Sequence, residues 1–158
     1  YEDTAIVFTA DHGDMQGAHG LINKCKPHEE SAGIPLIASV PGRRDGRVVH
    51  APVSGIDLYP TVLDLAGVQN QTRVSGFSLL ELIDGCSDGA DRQVVSECED
   101  WFMIVREGHK LVFDRETRRP TALYDLENDP YELENLVADE GKQGVIARLT
   151  QALPEPFR

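Results

Sequence analysis

The stretch Ala5-Ile6-Val7-Phe8-Thr9-Ala10-Asp11-His12-Gly13 runs from a short apolar, β-branched segment straight into two metal-competent side chains and a glycine. Ala5–Thr9 therefore predicts a buried strand of a parallel or mixed sheet covered on both faces. Functional residues of open α/β sheets gather at the carboxyl ends of strands, where Asp11 and His12 stand. Ile34–Val40 reads as a second buried strand, with Pro35 at its start and the Pro41-Gly42 turn at its end. Between the two, residues 13–30 are rich in glycine, histidine and lysine and show little periodicity, which predicts an ordered functional loop rather than a helix.

Further along, Ser54–Ala66 predicts a helix. Ser54 and Asp57 have capping-box spacing, Ile56, Tyr59, Val62, Leu63 and Ala66 recur at three- and four-residue steps, and Gly67 ends the pattern. Pro60 lies inside the pattern and loosens the first turn. A short helix is expected over Ser78–Asp84, stopped by Gly85. The polar run Cys86–Asp91 marks a lobe boundary, giving the division 1–90 and 91–158. Beyond it, Gln93–Cys98, Phe102–Arg106, Lys110–Phe113 and Ala122–Leu126 read as short strands, with a hairpin turn at Glu107-Gly108. Short neighbouring strands with tight turns imply an antiparallel sheet. Gly144–Leu153 reads as an amphipathic helix with Val145, Ile146, Leu149 and Leu153 on one face.

The 158 residues are 41% hydrophobic, enough for a packed core, and carry a net charge of -12. That charge argues against nucleic acid as a partner, which needs clustered Lys and Arg. The acidity serves solubility, or in part holds a cation; local spacing must separate the two. No apolar run of roughly 18 residues suggests a membrane span. Three widely spaced cysteines, Cys25, Cys86 and Cys98, form no C-x-x-C. Neither a structural zinc site nor a disulfide framework is expected, and this usage leans towards a reducing compartment.

The chemistry concentrates between Asp11 and Lys24. At a strand end the backbone turns, so Asp11 and His12 can both reach one cation. A carboxylate oxygen suits a hard cation such as calcium, while a neutral imidazole better suits zinc, manganese or iron. Taken alone, an Asp after a strand is more often a helix cap or turn former than a metal ligand. His19 sits inside Gly17-Ala18-His19-Gly20, whose glycines let the backbone approach an anion, and Lys24 is a compact point charge suited to sulfate or phosphate oxygens. The plainer alternative for Lys24 is a solvated lysine on a loop.

The string from Phe8 to Lys24, F-T-A-D-H-G-D-M-Q-G-A-H-G-L-I-N-K, resembles a metal-site signature of the sulfatases of the alkaline phosphatase superfamily. So do Glu29-Glu30 with Ile34-Pro35-Leu36-Ile37, the stretch Ile56-Asp57-Leu58-Tyr59-Pro60-Thr61-Val62-Leu63-Asp64-Leu65-Ala66-Gly67, and Leu123-Tyr124-Asp125-Leu126-Glu127-Asn128-Asp129-Pro130 with Glu132 and Asn135-Leu136. The resemblance implies an α/β fold: the C-terminal part of a mixed-sheet sulfatase-like domain, then a small lobe of antiparallel sheet plus helix. It implies Asp11 and His12 as metal ligands, Lys24 as the sulfate contact and His19 as a neighbour of the pocket, with Lys24 and His19 forming the catalytic set. The metal implied is divalent: Ca2+, with Mn2+ or Zn2+ as alternatives. Asp57 and Asp125 are expected to be a cap and a turn former.

The family's nucleophile, a Cys or Ser in C/S-x-P-x-R that becomes formylglycine, is expected before Tyr1, together with an Asp-Asp pair of metal ligands and an assisting Lys and His. The near miss Cys25-Lys26-Pro27-His28-Glu29 ends in Glu where Arg is required. The chain by itself is then expected to be inactive. The resemblance implies a small sulfate ester or a sulfated glycan as substrate, with no membrane partner, and an exposed sheet edge that could join copies of the chain. The alternatives are a phosphonate or phosphate ester hydrolase of the same superfamily, and a non-catalytic module that binds an anion or a partner.

Overall fold

The computed structural model describes residues 2–43, 46–69 and 73–157. It divides into two compact units, Tyr1–Asp11 with Pro35–Arg92, and His12–Ile34 with Gln93–Arg158. The sequence division at position 90 treats residues 12–34 as part of the first lobe; by contacts they pack with the second, and they end in a one-turn helix, α1 (Glu29–Ala32).

In the first unit, β1 (Ile6–Thr9) and β2 (Leu36–Ser39) pair antiparallel, with Phe8 opposite Ile37. The expectation of fully buried strands needs correction. Phe8 is 60% and Ile37 64% exposed. Two four-residue strands are too narrow a sheet to cover themselves, and burial would take a further layer.

A 3-10 turn over Gly55–Asp57 leads into α2 (Leu58–Leu65), and the Ser54/Asp57 capping box forms as the spacing predicts. The face that turns inward, however, is not the apolar stripe. Asp57, Pro60 and Thr61 are buried, whereas Ile56, Tyr59 and Val62 are more than half exposed. The inward face is held by polar bonds instead. Asp57 accepts from the Phe77 amide at 2.8 Å and the Ser54 amide at 3.0 Å and pairs with Arg92 at 2.5 Å. Thr61 donates to the Asp57 carbonyl at 2.6 Å and accepts from the Leu79 amide at 2.9 Å. Asp57 is thus a cap, as expected, and also the point where three segments of the unit meet. A short helix, α3 (Leu80–Ile83), follows and buries Leu82.

In the second unit, β3 (Val94–Glu97), β4 (Trp101–Arg106), β5 (His109–Asp114) and β6 (Pro120–Asp125) form an antiparallel sheet in chain order. The β4–β5 hairpin pairs Arg106 with His109, so Glu107 and Gly108 are its two loop residues, with φ of 52° and 68°. Two consecutive positive φ values match the twist of the flanking strands, and glycine takes the second without strain. The β6 turn is tied by Asp125, which accepts from the Asn128 amide at 3.2 Å and its side chain at 3.1 Å.

Both faces of this sheet are buried. Phe102, Ile104, Leu111, Phe113 and Leu123 point to one face and are covered by Leu149 and Leu153 of the α4 segment (α4, Gln143–Ala152), with Val145 and Ile146 beside them. The alternate residues Trp101, Met103, Val112, Ala122 and Tyr124 point to the other face, where Ala32, Cys98 and Leu126 pack. The helix face is what the heptad-like spacing of α4 predicts. The second covering, by Ala32, Cys98 and Leu126, has no periodic signature in the sequence.

Leu123 is fully buried between β5 and α4. Leu123→Ala should lower unfolding stability by about 2–5 kcal/mol, since lost transfer energy and a cavity add. Exposed Leu133→Ala should change it by less than about 0.5 kcal/mol. Guanidinium unfolding of the two variants checks the contrast.

Candidate functional site

The loop after Asp11 is closed by its own backbone. The Gly13 amide donates to the Ser31 carbonyl at 2.9 Å, Met15 to Asn23 at 3.0 Å, and Gly17 to Leu21 at 2.9 Å. A side chain at position 13 would run into the Glu30 carbonyl, so the close approach of the two loop ends requires glycine there. Met15 is buried beneath the loop. A short 3-10 turn, Ala18–Gly20, presents His19 with φ of 53°.

Within this loop His12 and Lys24 meet. Lys24 Nζ lies 2.8 Å from His12 Nε2, and His12 Nδ1 lies 2.8 Å from the Gly13 carbonyl. An ammonium only donates, so Nε2 accepts from Lys24, and Nδ1 carries the hydrogen donated to Gly13. The backbone carbonyl thereby fixes the ring and points its lone pair at Lys24. His19 lies with a different group. Its ring lies against His28, tilted by 33° with centroids 4.1 Å apart, and its Nε2 is 3.7 Å from Glu30 Oε2. Burial, and after it the charges of His19 and Lys110, push the His28 imidazole below its ordinary value. Asp11 ends the first unit and His12 begins the second.

The loop is fastened to the second unit by Lys110 and Trp101, which the sequence reading did not single out, and by Glu29 and Glu132, which it quoted only as part of the resemblance. Lys110, on the second face of β5, is fully buried. Its ammonium donates to the Pro27 carbonyl at 2.9 Å and to Glu29 Oε1 at 2.6 Å, and faces Glu132 Oε1 at 2.7 Å. Glu132 Oε2 accepts from the Glu29 amide at 2.8 Å. Glu132 Oε1 meets the ammonium off the line of a hydrogen bond. Burial pushes the Glu132 carboxyl up, and Lys110 works against that rise. A second tie comes from Trp101, whose indole N–H donates to the Cys25 carbonyl at 3.1 Å. The sequence signal for Lys110 was a lysine at an inward position of a predicted strand, which is costly unless the charge is paired.

Asp11 and His12, as two donors, cannot complete the shell of a hard cation, which takes about six to eight ligands. Among the described residues no group of three or more His, Cys, Asp and Glu side chains is arranged to hold a metal. What the chain does offer is a histidine locked in the ligating tautomer, with a positive group already placed on its lone pair.

One stretch overturns the expectation that the nucleophile pattern is missing altogether. Ser39-Val40-Pro41-Gly42-Arg43 spells S-x-P-x-R. Its place in the fold is that of a turn closing β2. Val40 is buried and bridges to Arg43, and Arg43 makes a two-point ion pair with Asp84. Ser39 and Arg43 line a cleft of about 590 Å³, together with Ile37, Val48, Leu79 and Leu82 of the first unit.

Residues 17–157 match the family described as N-sulphoglucosamine sulphohydrolase, C-terminal. Arylsulfatase K of Danio rerio is 31% identical over 154 residues, which cover 85% of this chain and 28% of that protein. The structure of a 2-O GAG sulfatase superposes with a TM-score of 0.79 at 29% identity, covering 93% of this chain and 34% of that one. The phosphonate monoester hydrolase of Agrobacterium radiobacter superposes with a TM-score of 0.79 at 26% identity, covering 95% and 34%. The chain belongs to the sulfatase family, and it spans about a third of the length of the relatives it matches.

Two outcomes follow from the loop anchorage. Lys110→Ala leaves Glu132 as a buried charge without its partner and should cost about 3–5 kcal/mol; Lys110→Met combined with Glu132→Leu should recover much of that loss. Urea unfolding measures both. His28 favours its neutral form in the fold, so its contribution is complete above the unfolded value of 6.5 and is lost as pH falls through the lower folded value. Between about pH 6.5 and 5 the decline of the urea midpoint should be shallower in His28→Gln than in the wild type; equal slopes would remove His28 from the account.

Proposed function

We propose that this chain supplies the metal- and sulfate-binding half of a sulfuric ester hydrolase. Asp11 and His12 hold part of a divalent cation site, Lys24 binds the nonbridging oxygens of the sulfate group, and His19 stands at the pocket. The observation that carries this reading is the contact of Lys24 with His12 inside a loop whose family is shown. Residues 1–90 then complete a catalytic domain and 91–158 form its C-terminal subdomain.

The metal expected is Ca2+, with Mn2+ or Zn2+ as alternatives. When bound, it supplies Lewis-acid polarisation and orients the nucleophile. The chain's own part is electrostatic. His12 is held ready by the Gly13 carbonyl, so ligation costs no ring reorientation. Lys24, which now rests on the same lone pair, would turn from His12 towards an anion when Nε2 is engaged. Its point charge then stabilises charge that builds on the sulfate oxygens. His19, oriented by His28 and Glu30, can hold or relay a proton at the pocket edge. The formylglycine nucleophile belongs to sequence outside this chain, so the chain alone is expected to be inactive. The S-x-P-x-R at Ser39–Arg43 does not change that, because Arg43 is committed to Asp84. The substrate class is a sulfate ester, with sulfated glycans favoured by the likeness to a 2-O GAG sulfatase.

A second reading, hydrolysis of phosphonate or phosphate esters, is favoured by the equally close superposition on a phosphonate monoester hydrolase. Comparing turnover of an aryl sulfate with that of an aryl phosphonate separates the two. In the intact enzyme, Lys24→Ala should lower aryl sulfate turnover by about 10²–10³ without moving the melting temperature. Unchanged turnover would remove Lys24 from the site.

A further inference from the structure

We propose that the cleft of the first unit is a binding site for a fatty carboxylate, a single unbranched alkyl chain that ends in a carboxylate group. Its volume of about 590 Å³ falls inside the ~300–1,000 Å³ common for small-molecule sites. Buried Leu79 and Leu82 contribute to its lining, and so do Ile37, Val48 and Val49, which are 64%, 78% and 37% exposed. Aliphatic side chains left in water side by side mark a surface that takes up a partner.

The chemistry of the lining selects the occupant. Among the described residues it holds no aromatic side chain on which a sugar or a base would stack. It holds no carboxylate or amide side chain to pair with the hydroxyls of a sugar either. Its polar side chains are Ser39, Arg43 and Arg47. Arg43 is neutralised by its two-point ion pair with Asp84. Arg47 is exposed, and among the described residues no acidic side chain pairs with it. Its guanidinium lies against Gly85, just past α3, so close that a β-carbon on Gly85 would collide with it.

An aliphatic cleft with one uncompensated guanidinium fits an aliphatic molecule with one negative charge. A carboxylate matches the guanidinium fork with two parallel hydrogen bonds, and the alkyl chain removes Ile37, Val48 and Val49 from water. A second copy of the chain is a poorer occupant, because each copy carries a net charge of -12 and the two repel. The site does not rest on the sulfatase reading. All its residues lie in the first unit, and none belongs to the stretch from Asp11 to Lys24.

The test is isothermal titration calorimetry of the purified protein with decanoate and, as the uncharged probe, decanol. Saturable one-to-one binding of decanoate is expected, with the negative heat-capacity change of a buried alkyl chain. Arg47→Gln should weaken decanoate binding by about tenfold and leave decanol binding unchanged. Val48→Asp, at a largely exposed position that tolerates the change, should weaken both probes. Three results would overturn the proposal. One is no saturable decanoate binding by the wild type. Another is equal decanoate affinity in the wild type and both variants. The third is a wild-type dimer in sedimentation that Val48→Asp dissociates, because a second copy then covers the cleft.

Discussion

The second unit depends on a single buried ammonium. Lys110 is placed on an otherwise apolar sheet face, and its charge is met by the Pro27 carbonyl, Glu29 and Glu132. An unpaired ammonium there would be prohibitive, so the sheet face is stable only with the 27–29 segment lying across it. That requirement runs both ways. The loop bearing His12, His19 and Lys24 has almost no regular structure of its own, and its position is dictated by the partners that Lys110 and Trp101 demand. The loop is therefore part of the fold of the C-terminal sheet, although the sequence joins it to the first strand.

This explains which features could be read from the sequence. The strands β4 to β6, the Glu107-Gly108 hairpin and the apolar stripe of α4 follow from period-two and helical patterns, and the structure matches them within a residue or two. The Ser54/Asp57 cap and the Asp125 turn were legible for the same reason, because each is satisfied within a few residues. What was not legible depends on long-range partners. The apolar positions of α2 suggested an inward stripe, yet Asp57 and Thr61 face inward because the amides of Phe77 and Leu79 need acceptors. Periodicity could not foresee that polar bonds would win. β1 and β2 were read as buried, and their exposure shows that apolar composition alone does not provide a covering layer.

The sequence singled out the loop from Asp11 to Lys24, and the structure adds how its members divide. Lys24 and His12 form one contact, while His19 joins His28 and Glu30 in another. Spacing along a loop cannot show this division, since glycines and left-handed residues decide which side chains converge. The arrangement suits a group that handles charge in steps. Lys24 occupies the His12 lone pair, so any other partner of that ring nitrogen must first displace the lysine.

The most direct measurement of the account is native-state hydrogen exchange on the amides of Gly13, Met15 and Gly17, compared with those of β4 and β5. If the loop is part of the cooperative structure of the second unit, its amides exchange only through the large opening that also exposes the sheet, and their protection follows that of β4 and β5 as denaturant is added. If these amides exchange through small local fluctuations, independent of denaturant, while the sheet stays protected, the Lys110 anchorage does not govern the loop and the central claim fails.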